Sequence, residues 1–159
     1  MFRAGRLSIT ILSVKHREAF EMEWTQEARV LSHHGLMAML GAAVAKAEAL
    51  NQPQCIVIVD ASGEVLAELR MTGAKFLSRK SALAKARTAA SIGAPSDAIP
   101  EAVRASIAAA TGGAVTGLPG GLPIIQGGHR LGGIGVGSGS GDQDVAVGRA
   151  ALAAIGITD

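Results

Sequence analysis

The chain has 159 residues, enough for one domain with a real core, and 48% of them are apolar while aromatics make up only 3%. A formal charge of +2 is too small to point to a nucleic-acid partner, and no aromatic residues alternate with the basic ones. The single Cys55 leaves no internal disulfide and fits a reducing, cytoplasmic setting, and no apolar run approaches the roughly 18–20 residues that span a bilayer.

Residues 1–24 carry Arg3, Arg6 and a short apolar run over 7–12, with no small-residue cleavage site and the charged Lys15-His16-Arg17-Glu18 behind it. They read as a flexible extension or a lone strand rather than an export signal. A single domain then covers 25–159. Thr25 is a candidate cap for a first helix that runs to about Leu50 and stops before Asn51-Gln52-Pro53. Val30, His33, Leu36, Met37, Leu40, Ala43, Val44 and Ala47 fall on one broad face of that helix. This places His33 inside the apolar stripe and His34 at its edge. Each is either a core histidine satisfied by a carbonyl or an imidazole aimed into a ligand pocket.

Residues 55–60 form a continuous apolar strand, and 64–70 return as its hairpin partner after the turn Ala61-Ser62-Gly63. Asp60 and Ser62 are placed to bond the turn's own backbone. A second helix spans 75–92 and closes at Gly93-Ala94-Pro95. From Arg70 to Arg87 there are six cations (Arg70, Lys75, Arg79, Lys80, Lys85, Arg87) and no acid. They either form a solvated surface or flank a site for a carboxylate-bearing ligand. A third helix over 96–110, with Pro100 at its first position, leads into a mobile connector over 111–121.

Residues 116–144 hold glycine at a density that ordinary core segments avoid. Leu122 to Ile125 form a strand, Gln126-Gly127-Gly128-His129 a hairpin connection, and 131–139 the return strand. Gly133, Gly135, Gly137 and Gly139 share one face of that strand, while Ile134 and Val136 share the other. A bare face admits either a close-packed helix or a flat ligand. The ligand reading puts Gly120, Gly121, Pro123, Gly133 and Gly135 at a binding surface. Ser140 and Gln143 form a capping box for a last helix over 142–155. Asp142 and Asp144 in its first turn argue against a bound phosphate. No G-x-G-x-x-G and no P-loop lysine occur, so no nucleotide cofactor is indicated; HExxH, CxxC and G-x-S-x-G are absent too. Two hairpins separated by helices predict an α+β domain, an antiparallel sheet with helices packed on it.

Three segments together resemble the GlcG/HbpS-like family of haem-degrading domains: VIVDASGEVLAELRMTGA at 57–74, SALAKARTAAS at 81–91, and PGGLPI with GGIGVGSGSGDQD within 119–144. The resemblance covers about Glu27 to Gly156. It implies a profilin-like or PAS-like α/β/α sandwich and a homo-oligomer built from dimers, often an octamer. It also implies haem as the cofactor in some members, a role in catabolic gene clusters in others, and a place at the end of PduO-type corrinoid adenosyltransferases. By position on the first helix, the resemblance makes His33 or His34 the candidate haem-iron ligand.

Two functions follow as expectations. As a binding module, the chain takes haem or another tetrapyrrole in a glycine-lined pocket, with Arg70, Arg79 or Lys85 on the propionates and His129 completing a neighbour's site. As a catabolic enzyme, it acts on a small oxo- or carboxylate-bearing compound in the same pocket by tautomerisation, hydration or hydrolysis. Its acid, base or anion clamp would then be drawn from His33, Asp60, Arg70, Lys85, His129 and Asp142.

Overall fold

The six-residue run Cys55–Asp60 is apolar almost throughout, and five of its six residues are buried. A strand buried on both faces needs a layer of structure on each. It is β1, a central strand of a four-stranded, wholly antiparallel sheet in the order β2-β1-β4-β3, with β2 at Val65–Arg70, β3 at Gly121–Gln126 and β4 at His129–Gly137. Ile56 and Ile58 face helices α1 (His33–Ala49) and α4 (Gly141–Ala153), which contribute Met39, Ala43, Ala47, Val147, Ala151 and Leu152. Cys55, Val57 and Val59 face α2 (Ser78–Ile92) through Ala82, Ala86 and Ala90. The result is the expected α/β/α arrangement from two hairpins. This computed structural model describes Trp24 and residues 27–158; the expected extension over 1–24 and the cap at Thr25 otherwise lie outside them.

Local chemistry explains the boundaries. Ser32, not Thr25, caps α1, its hydroxyl accepting from Gly35 N at 3.2 Å, so the helix starts at His33 and not directly after Thr25. Pro100 drives Ile99 out of the helical region (ψ 121°), which splits the expected third helix into a turn of 3-10 helix at Ser96–Ala98 and α3 at Glu101–Ala110. Pro100 is therefore the cap of α3 and not its first residue. Gly93 ends α2 in the left-handed region at φ 66°. Gly127 and Gly128, with φ of 57° and 78°, supply the two positive dihedrals that a two-residue hairpin loop needs. The capping box of α4 forms as expected: Ser140 Oγ accepts from Gln143 N, and Gln143 Oε1 accepts from Ser140 N at 2.9 Å.

The glycine face of β4 is occupied. A Cβ on Gly135 would overlap the Ala82 carbonyl oxygen, and one on Gly133 would lie 2.8 Å from Ala90 N. Gly137 stands against Ser78 and Ser81. The flat-ligand expectation for this face is thus corrected: helix α2 fills the space, and alanine and glycine let the two backbones approach. Burial against α2 also pushes the Cys55 thiol above its ordinary range, and its S–H reaches the Lys75 carbonyl at 3.6 Å. Cys55 is a structural thiol.

Gly135→Ala is expected to lose about 3 kcal/mol of unfolding free energy or to prevent folding, because backbone has to move. Gly41→Ala in α1, where nothing lies within 4 Å of a new Cβ, is expected to gain about 0.5–1 kcal/mol. Urea unfolding of the two variants checks the pair.

Candidate functional site

Because α2 lies so close to β4, Lys85 on its inner flank is carried into the protein and is only 5% exposed. Its ammonium donates to the Val136 carbonyl at 2.8 Å and to Asp144 Oδ2 at 2.7 Å. Asp144 belongs to α4, on the far side of the sheet, and is 2% exposed. Its other oxygen accepts from Gly139 N at 3.1 Å, so both charges are paired and hydrogen-bonded, as burial requires. Gly120 and Gly121 make room for the pair. A Cβ on Gly120, at φ 107°, would stand 2.6 Å from Asp144 Cβ, and one on Gly121 would meet the Lys85 carbonyl oxygen.

Buried Gln54 accepts from Gly139 N through Oε1 at 3.0 Å, while its Nε2 has no acceptor among the described residues. A cleft of about 240 Å³ opens beside this cluster, lined among others by Lys75, Ser81, Lys85, Ser138 and Gly141.

On the outer flank of α2 lies a wider groove of about 720 Å³, bounded by the segment 111–116 that follows α3. Leu83, Ala84, Ala108 and Val115 give it apolar walls, and Lys80 and Arg87 are its cations. Thr88 ties the segment down: its hydroxyl donates to the Ala84 carbonyl at 2.7 Å and accepts from Thr116 N at 3.0 Å. Ser96 adds two bonds, to the Leu118 carbonyl at 2.5 Å and from Gly121 N at 2.9 Å. The connector expected to be mobile is therefore anchored to α2 and to the turn before α3. A recess of about 320 Å³ beside the groove shares Arg87, Ala114 and Val115 with it and runs to the β1–β2 turn.

Most of the residues singled out from the sequence stand apart. His33 and His34 occupy the first turn of α1, exposed, with ring centroids 4.0 Å apart. They precede the first buried residue of that helix, Met39, and the sheet lies between them and α2. Neither is a core histidine, and within one chain neither meets Arg79, Lys85 or the glycine ribbon. Asp60 serves its turn, Oδ1 accepting from Ser62 N at 2.8 Å and Glu64 N at 3.0 Å.

Arg70 is exposed at the end of edge strand β2, and His129 is exposed at the β3–β4 turn. Arg79 pairs with Glu68; the guanidinium holds that carboxyl below its usual range and is itself raised in return. Such an exposed pair adds little stability. Pro123 sits in β3 opposite Gly133, and Gly133 and Gly135 lie under α2.

Of the candidates, Lys85, Gly120 and Gly121 gather at one buried cluster. Their partner is Asp144, while Asp142 is exposed. The signal for Asp144 was present in its phase: with Val147, Gly148 and Ala151 it falls at i, i+3, i+4 and i+7 on the buried face of α4. Among the described residues no group of three His, Cys, Asp or Glu side chains is placed to hold a metal ion, and no helix is long and apolar enough to cross a membrane.

Residues 31–153 match the family described as haem degrading protein HbpS-like. The chain is 34% identical over 137 residues to corrinoid adenosyltransferase PduO of Citrobacter freundii, and 32% identical over 132 residues to that of Salmonella typhimurium. These alignments take in 83% and 80% of this chain but 41% and 39% of the relatives, so the chain spans about two fifths of their length.

Among solved structures, Klebsiella pneumoniae protein ORFY superimposes with a TM-score of 0.81 at 25% identity, covering 87% of this chain and 99% of that one. A PduOC:heme complex gives 0.76 at 30% identity over 82% and 98% of the two chains. A double mutant of Streptomyces reticuli HbpS gives 0.75 at 28% over 95% and 100%.

Lys85→Met alone leaves the Asp144 carboxylate buried without its partner and is expected to cost about 3–5 kcal/mol. Adding Asp144→Leu is expected to recover most of that loss, a coupling that a double-mutant cycle by chemical denaturation measures.

Proposed function

The chain belongs to the HbpS-like family, and from that premise we propose that it is a binding domain for a tetrapyrrole of the haem class, seated in the groove between α2 and segment 111–116. The observation that carries this reading is the pairing of apolar walls with two cations in one long recess. Leu83, Ala84, Ala108 and Val115 suit the face of a flat macrocycle, and Lys80 and Arg87 suit its carboxylates. Arg87 is held in place, since its Nε donates to the Gly63 carbonyl at 2.9 Å while the rest of its fork is left to the ligand. The solved relative in complex with heme, at 30% identity, supports the ligand class.

The groove's lining contains no histidine, cysteine, methionine or tyrosine, so it fits the organic plane and its acids but supplies no axial ligand to iron. His33 or His34 can serve iron in this groove only from a second copy of the chain, across a subunit contact. Exposed Phe76 and Leu77, beside Leu83 at a neighbouring apolar recess, give a homo-oligomer something to cover. The enzyme reading has less support. Asp60, Arg70, His129 and Asp142 are dispersed, and the groove between α2 and segment 111–116 is lined by no carboxylate or histidine.

Metal-free protoporphyrin IX is expected to bind with an affinity within a few fold of that for haem, because recognition runs through the plane and the acids. Arg87→Glu and Lys80→Glu are each expected to weaken both ligands about tenfold or more. Fluorescence and Soret titrations decide; strong haem binding with no porphyrin binding would sink the reading. Phe76→Glu with Leu77→Glu is expected to lower the oligomer number, read by light scattering behind size-exclusion chromatography.

A further inference from the structure

We infer that the cleft beside Lys85 and Asp144 is a separate site for a small oxyanion, a carboxylate or phosphate on a compound of a few heavy atoms. It does not depend on the tetrapyrrole reading and lies on the other flank of α2, although Ser81 borders both recesses.

The cleft is built of donors. Lys85 has three N–H bonds, and the Val136 carbonyl and Asp144 take two; among the described residues the third has no acceptor, although the side chain is almost wholly buried and lines the cleft. At the mouth Lys75 spends one donor on the Ser138 carbonyl at 3.2 Å and keeps two. Gly141 opens α4 and lines the cleft, so its N–H is one of the orphan donors of a helix start, and nothing among the described residues accepts from it. The one carboxylate in the lining, Asp144, is already neutralised by Lys85, which leaves Lys75 as an uncompensated cation. Asp142 is exposed and does not line the cleft. Behind the wall, Gln54 Nε2 has no acceptor and lies 2.6 Å from where a Cβ on the lining residue Gly139 would stand.

Ser138 adds an independent observation. It is a non-glycine residue at φ 106°, buried, flanked by Gly137 and Gly139. That conformation costs on the order of 1–3 kcal/mol for a residue with a Cβ, and glycine would adopt it freely. The serine hydroxyl accepts from Lys75 N at 3.0 Å, which leaves its own O–H free to donate. A strained serine among glycines, with a spare hydroxyl on a cationic cleft, is what an oxyanion site needs.

The test titrates sodium phosphate and sodium acetate separately into the full chain, at constant ionic strength in chloride, and follows the Gly139 and Gly141 amide resonances. At least one anion is expected to shift them saturably, and which one does so identifies the oxyanion. Lys75→Ala is expected to raise Kd about tenfold, while Lys46→Ala, the same charge change on α1, stays within about twofold. Ser138→Gly is expected to raise the midpoint of unfolding yet weaken anion binding, so a folding defect cannot imitate the result. Absence of saturation with both anions, or equal effects of the two lysine changes, overturns the inference. Unaltered anion affinity in Ser138→Gly overturns the part assigned to Ser138.

Discussion

The close approach of α2 to β4 is the constraint from which the rest of this structure follows. Each glycine in β4 sacrifices roughly 0.5–1 kcal/mol of backbone entropy relative to alanine, and the strand carries three on one face. What offsets this is contact between a helix backbone and a strand backbone, with the small side chains of Ala82, Ala86 and Ala90 facing the sheet. A helix at ordinary distance would leave Lys85 near the surface. At this distance the lysine stem is drawn inside, and the ammonium has to find acceptors there.

That ammonium finds them by joining layers that the sheet otherwise separates. Lys85 comes from one helical layer, the Val136 carbonyl from the central sheet and Asp144 from the opposite helical layer. Such a bridge is possible only past the end of β4, where the chain leaves the sheet through 138–140 to enter α4. The same place needs Gly120 and Gly121, because the incoming β3 passes against both charged side chains. A buried pair of this kind adds little net stability, since desolvation consumes most of the Coulomb gain. The pair joins the middle of α2, the end of β4 and the start of α4, and parting any of the three would leave a buried charge alone.

Nearly all of the fold was legible in local patterns. The apolar run at 55–60, the Gly127-Gly128 loop, the Ser140–Gln143 box and Gly93 each encode a short-range rule, and each element formed where its rule put it. The first helix misled because Val30, His33 and Met37 continued an apolar phase that Ser32 interrupts by capping. The site was harder to read, because its members are distant in sequence. Lys85 and Asp144 are 59 positions apart, and nothing local says they meet. Asp142 attracted notice as a first-turn carboxylate, yet Asp144 is the one in phase with the buried face. The bare glycine face admitted a close-packed helix or a flat ligand; the alanines of the second helix made it the natural partner, and α2 is what approaches.

The three-layer arrangement also bears on how iron could be held. The sheet divides the molecule, with the exposed His33–His34 pair on the α1 side and the cationic groove on the α2 side. No side-chain rotation carries an imidazole through four paired strands. Within one chain, then, the groove's cations and the two histidines stand on opposite faces. They can act on one ligand only if a second subunit presents its α1 face to the first subunit's α2 face. The proposed recognition through plane and acids carries no such requirement, because Lys80, Arg87 and the apolar walls all line one groove of a single chain.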